Sequence, residues 1–204
     1  KQEKWMMNAT VAISVVIAVA VFMVLPYFLS SLLKPLMPSY HLRTLVEGFV
    51  RIGIFILYIA LISRMDDIQR TFMYHGAEHK CINCIEHGLP LTVDNVRISS
   101  RQHKRCGTSF LFFVLAISII LLMLIQVESP LMRVIVRIAL IPVIAGISYE
   151  LIRLAGNSDH PVINVLSKPG LWVQNLTTKE PDDSMIEVGI KAVEAVFDWK
   201  TWQE

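Results

Sequence analysis

Residues 108–125 read TSFLFFVLAISIILLMLI, a run without a single charge. A transmembrane helix needs about 20 predominantly apolar residues to cross roughly 30 Å of hydrocarbon, and soluble domains rarely carry such a block. Three more blocks of this kind flank it, over about 9–33, 45–63 and 131–154. Apolar residues make up 54% of the 204 positions and the mean hydropathy is +0.54. This pattern predicts an all-α membrane protein with four transmembrane helices, a cytoplasmic helical loop and a cytoplasmic C-terminal amphipathic helix.

The order of the blocks sets the organisation. Residues 1–63 hold the first two spans, the first expected to kink at Pro26. Residues 64–107 form a polar loop with a helix over about 67–87, and 108–156 hold spans three and four. Residues 157–204 form a tail that is loop-like at first. Its amphipathic helix is expected over about 184–199, opened by a capping box between Ser184 and Glu187. Ile186, Ile190, Val193 and Phe197 make that helix's apolar stripe, which should dock on the protein's own surface or on the membrane interface.

Of the 19 basic residues, only Lys34, Arg43, Arg51, Arg133 and Arg137 lie at or near the side away from the 64–107 loop. The positive-inside rule therefore places that loop and both termini in the cytoplasm. Cys81, Cys84 and Cys106 all fall in the loop, and an odd number of thiols in a reducing compartment gives no disulfide framework. The first apolar block is too long for a signal peptide and lacks a small-residue cleavage site. A net charge of +2, with no basic cluster interleaved with aromatics, argues against nucleic acid as a partner.

Chemistry concentrates in Phe72–Gly88, FMYHGAEHKCINCIEHG. His75 and His79 stand at i and i+4, on one face of a helix, with Glu78 beside the second histidine. This His-x-x-Glu-His order is the inverse of the zinc-protease motif, and it predicts a metal held by two imidazoles with Glu78 as general base. Gly76 and Ala77 leave the adjoining helix wall small enough for a substrate or another segment to approach. A catalytic zinc takes three protein ligands and keeps one position open. The third is sought among Glu150, at the end of span four, His103, just before span three, Glu86 and Cys106. Glu150 could instead pair with Arg153. Glu86, two turns beyond His79, is a candidate acceptor for an imidazole N–H behind the ligands. Cys84 and Cys106, with the histidines, offer a structural zinc set as a further alternative, and Cys81-x-x-Cys84 reads most simply as buried thiols. Arg101, Lys104 and Arg105 anchor the start of span three at the charged surface.

Four strings in order, YHGAEHKCINCIEHG, RQHKRCGTSF, SYELIRLAG and LTTKEPDDSMIEVGIKAVEAV, resemble the YqhQ-like family of bacterial polytopic membrane proteins. That family carries a domain of unknown function and is described as predicted metal-dependent enzymes. The resemblance implies a bacterial inner-membrane protein, a metal at His75 and His79 with Glu78, and a soluble region preceding Lys1. The chain departs from the pattern at Cys81, where a small polar residue is expected, and at Ile85, where an aromatic is. Neither touches the His-x-x-Glu-His core.

The sequence reading is thus a metal-dependent hydrolase, with zinc or another divalent ion, at the cytoplasmic membrane face. Its metal ligands are His75 and His79 with Glu150 or His103, its base is Glu78, and its substrate is a membrane peptide or lipid. The alternative is a non-catalytic membrane scaffold or assembly factor whose polar cluster is structural, bound to a partner protein or to further copies of itself.

Overall fold

A computed structural model describes residues 2–33, 35–37, 39–127 and 129–203. Lys1 and Lys34, counted above for orientation, lie outside the described residues, as does the side chain of Arg133. Helix α1 (Gln2–Val19) passes through a π-turn (Ala20–Val24) into α2 (Leu25–Leu32). Then come α3 (Tyr40–Ile62), α4 (Asp66–Glu86), α5 (Val93–Ile98) and α6 (Gly107–Leu124). The chain ends with α7 (Pro130–Asn157), α8 (Pro161–Thr177), α9 (Asp183–Glu194) and α10 (Trp199–Gln203). No strand occurs among the described residues.

The residues group into two compact units, Lys1–Tyr58 with Val114–Ile147 and Ile59–Phe113 with Ser148–Glu204. Among the described residues, four helical stretches are long and apolar enough to cross a membrane: Glu3–Leu32, Tyr40–Ile62, Gly107–Leu124 and Val134–Asn157. Only 6, 17, 22 and 17% of their apolar windows are buried inside the protein. So much outward-facing aliphatic surface is compatible with lipid and not with water.

In the first unit the π-turn has a local cause. Pro26 lacks an N–H, and its ring crowds the carbonyl four residues back. The widened turn before it, closed by a bond from Leu25 N–H to Ala20 O, accommodates the ring without breaking the helix. Tyr40 Oη donates to the carbonyls of Leu122 and Ile125 (3.3 and 2.8 Å), and His41 Nδ1 meets that of Met123 at 3.0 Å. The last carbonyls of α6, which have no helical partner, are satisfied in this way. Glu47 is buried and accepts from Arg51 (2.9 Å), four residues on along α3, and from Arg137, so two guanidinium groups share one carboxylate.

In the second unit α9 lies on α4. Ile186, Ile190 and Val193 pack around Cys81, Cys84 and Ile85, together with Leu91 and Val96 from the α5 region. Helix α4 stops in a Schellman arrangement at Gly88, whose φ of 71° suits glycine. There Leu89 N–H reaches Cys84 O and Gly88 N–H reaches Ile85 O.

Two features of the tail correct the sequence reading. The cap of α9 is Asp182, not Ser184: Asp182 Oδ1 accepts from Met185 N–H (2.9 Å) and Ser184 Oγ (2.6 Å), so the capping box with Glu187 does not form. The helix ends at Glu194, leaving Phe197 outside its stripe. The stretch expected to be loop is helix α8, with His160 as cap and Pro161 at its first turn. Pro169-Gly170 is ordinarily a turn signal. Here Pro169 points outward and Gly170 sits against Ser109, where a Cβ would meet the serine side chain at 2.8–2.9 Å.

Candidate metal centre

The site is built on the buried face of α4. Lys80 and Asn83 hold the segment leading into α6 by its backbone. Lys80 Nζ donates to the carbonyls of Arg97 and Ser99 (both 2.9 Å) and pairs with Glu180. Asn83 Nδ2 donates to those of Ser100 and Gln102 (2.8 and 3.0 Å). This fixes the intervening carbonyl of Arg101, which lies 2.7 Å from His79 Nδ1. On the other side, the end of α8 brings the Thr177 carbonyl to 2.9 Å from His75 Nδ1. A carbonyl only accepts, so both Nδ1 atoms carry the proton, and both imidazoles present Nε2 to the space between them. The two rings stand 4.4 Å apart, edge to face.

Cys106 completes the cluster. It stands immediately before α6, where its Sγ accepts Thr108 N–H (3.4 Å) and its carbonyl accepts Phe110 N–H, in the manner of an N-cap. Its Sγ lies 3.5 Å from His75 Nε2. The ligating atoms of His75, His79 and Cys106 all fall within 4.8 Å of one another. His79 and Cys106 are buried and His75 is half-buried, so the cluster opens on the His75 side. Glu78 is exposed there and has no hydrogen-bond partner among the described residues.

Burial pushes the Cys106 thiol up, but hydrogen bonds from His75 and His79 and from the Thr108 N–H outweigh it and hold the group near 5. His75 is raised chiefly by its hydrogen bond with Cys106, against burial, with the Thr177 carbonyl and the charges of Cys106 and Glu78 adding to the rise. The thiolate contribution to stability is full above the ordinary thiol value of 9.0 and is lost as pH falls through about 5. That of His75 runs the other way, full below 6.5 and lost as pH climbs through its raised value. In metal-free protein the thiolate ultraviolet absorbance is expected to persist until about pH 5, and His75→Ala to move its midpoint upward. Cys81, which burial pushes up to about 12, should contribute nothing in that range.

The other sequence candidates are placed elsewhere. Glu150 is exposed and pairs with Arg153 at 3.3 Å, away from the three-residue cluster. His103 sits beside His79, with ring centroids 5.9 Å apart, but both its nitrogens are engaged. Its Nδ1 accepts from Arg105 N–H and its Nε2 donates to Glu86 Oε2 at 3.0 Å. Glu86 thus receives an imidazole N–H, from His103 rather than from either α4 histidine, and a second bond from Arg105. Cys84 points into the α4–α9 core. Gly76 is small because the chain's own Lys179 carbonyl packs on it, while Lys179 N–H bonds Phe72 O.

Sequence reading missed Gln174. Fully buried, it accepts from His103 N–H and donates to His103 O and Ser109 Oγ (2.9, 2.8 and 2.7 Å). Gln174→Leu strands all three groups and is expected to lower unfolding stability by roughly 2–4 kcal/mol, measurable by thermal unfolding in detergent.

A sequence profile described as "Protein of unknown function (DUF1385)" matches residues 1–199. The chain belongs to this family. It is 42% identical over 173 residues to "Uncharacterized protein YqhQ" of Bacillus subtilis (strain 168), an alignment covering 84% of this chain and 54% of that one. The chain therefore spans about half the length of the relative it matches. No solved structure matches it.

Proposed function

We propose that this protein is a metal-dependent hydrolase of the membrane surface, with His75, His79 and Cys106 as the metal ligands. The observation that carries the reading is the pair of Nδ1–H bonds to Thr177 O and Arg101 O, which turn both Nε2 lone pairs toward one thiol. Metal-ligating histidines are typically oriented by such a bond from the other ring nitrogen. The donor set also fits zinc in size. Bonds of about 2.3 Å to sulfur and 2.0–2.1 Å to nitrogen at a tetrahedral angle set those atoms roughly 3.5 Å apart, and His75 Nε2 and Cys106 Sγ are 3.5 Å apart.

When bound, a divalent ion there supplies Lewis-acid activation of water or of a carbonyl, with three protein ligands leaving a fourth position open. The chain's own residues do the rest. The carbonyls of Thr177 and Arg101 keep the imidazoles in one tautomer, and the start of α6 stabilises the Cys106 thiolate. Glu78, exposed beside His75, takes and returns the proton. Because Cys106 directly precedes an apolar helix of membrane-spanning length, the substrate is a lipid or membrane peptide whose scissile bond lies at headgroup level. By the distribution of basic residues this face is cytoplasmic, in a bacterial inner membrane. The burial of His79 and Cys106 favours a second reading, a purely structural metal in a scaffold.

The test uses the full chain in lipid nanodiscs loaded with zinc. Hydrolysis of a fluorogenic phospholipid and of a quenched transmembrane peptide is followed for wild type and Glu78→Gln. The hydrolase reading expects Glu78→Gln to keep its metal and lose turnover. A loaded wild type that cleaves neither probe leaves the scaffold reading standing instead.

A further inference from the structure

Helix α8 is built the wrong way round for water. Its buried residues are Ser167, Gly170, Val173, Gln174 and Thr177, and all but Val173 are small or polar. Four of its large apolar side chains face outward: Val162, Val165, Leu166 and Trp172 are 57, 59, 52 and 55% exposed. With Pro169 they recur at i, i+3, i+4, i+7 and i+10, one continuous stripe. Lys168 is the helix's only charge. A helix of this kind is stable where the medium on its outer side is itself apolar.

Its position says what that medium is. Three residues separate the start of helix α8 from Asn157, the end of the candidate span α7. The end of α7 and the start of α6 are tied together: Lys104 Nζ donates to Ser158 O and pairs with Asp159, and Arg105 reaches Gly156 O. Two spans therefore meet the membrane surface at one level, beside α8. Residues seven apart on α8 touch neighbours on α6, Gly170 against Ser109 and Thr177 Oγ1 against Thr108 Oγ1 at 3.1 Å. Seven residues cover about 10 Å of helix, so α8 passes across the mouth of α6 instead of running down beside it.

We infer that α8 is an in-plane interfacial helix, with its Val162–Trp172 stripe seated in the boundary between lipid headgroups and acyl chains. Such helices bury their apolar face roughly 5–10 Å deep. The opposite side of α8 supplies the Thr177 carbonyl that orients His75, so the lipid contact and the candidate metal centre share one helix. The inference rests on the membrane placement in the proposed function and is independent of its hydrolase chemistry.

The experiment reconstitutes the full chain in nanodiscs and takes the fluorescence difference between wild type and Trp172→Phe. The ring is exposed, so the substitution leaves the packing intact. Lipids brominated near the ester carbonyl should quench most of this difference signal, and lipids brominated near the methyl ends distinctly less. Quenching by aqueous iodide without bromolipid quenching would show a solvent-facing helix and overturn the proposal. Strongest quenching by the deep bromines would show a spanning segment, and absence of all quenching a protein partner or second copy; either overturns it too. The ordering should be unchanged after chelator treatment, which separates this result from the fate of the metal reading.

Discussion

Cys106→Ala is expected to cost the protein about a thousandfold in zinc affinity. A complete structural zinc site is worth roughly 10–16 kcal/mol, so one ligand of three or four carries on the order of 4 kcal/mol. His75→Ala and His79→Ala should fall in the same range. The contrast with the residues favoured on sequence grounds makes the measurement decisive. Glu150→Ala, whose carboxylate is paired with Arg153, should bind metal like wild type. His103→Ala should lose about 10- to 100-fold at most, as residues around a site typically do. Competition against a chromophoric chelator reads all five affinities. Equal losses at Cys106 and Glu150, or none at Cys106, would sink the ligand assignment.

Gly76→Ala should destabilise the protein by roughly 2–3 kcal/mol, although alanine is the better helix former by about 1 kcal/mol. The reason is backbone against backbone. A Cβ at position 76 would collide with the Lys179 carbonyl oxygen, and Lys179 cannot retreat without giving up its 2.9 Å bond to Phe72 O. The neighbouring Thr177 carbonyl would shift with it, so zinc affinity should drop alongside stability. Gly53→Ala serves as the control: nothing lies within 4 Å of a Cβ there, and the helix should tolerate or gain from the change. Thermal unfolding of the two variants in the same detergent decides it, and an unaltered Gly76→Ala would show that the segment is free to move.

The apolar helices were legible because hydrophobicity over some twenty residues is a long-range average that few alternatives share. The His75–His79 pair was legible because i and i+4 meet on any helix. What the sequence hid was everything set by tertiary contact. Cys106 became a ligand candidate of equal rank only once the Lys80 and Asn83 bonds had folded residues 97–106 back onto α4. Glu150 looked attractive as a charge at the end of an apolar helix, yet a neighbour one turn on, Arg153, satisfies it. Helix α8 was concealed by Pro169-Gly170, a local signal overruled by the need for a bare Cα against Ser109. The polar side chains of Lys80, Asn83 and Gln174, on faces that also carry apolar residues, were the traces of this organisation in the sequence.

The Thr177 carbonyl that orients His75 has a further consequence, in time rather than space. His75, His79 and Cys106 are all translated before the fourth apolar helix, whereas Thr177 follows it. A nascent chain thus carries the three candidate ligands while one of the two carbonyls that orient the imidazoles is still unmade. The arrangement on which the proposed metal centre rests is complete only after synthesis of all four membrane-length helices, so under that proposal metal capture would be a late event in biogenesis. A polypeptide cut short after α7 would hold the same donors, poorly aimed.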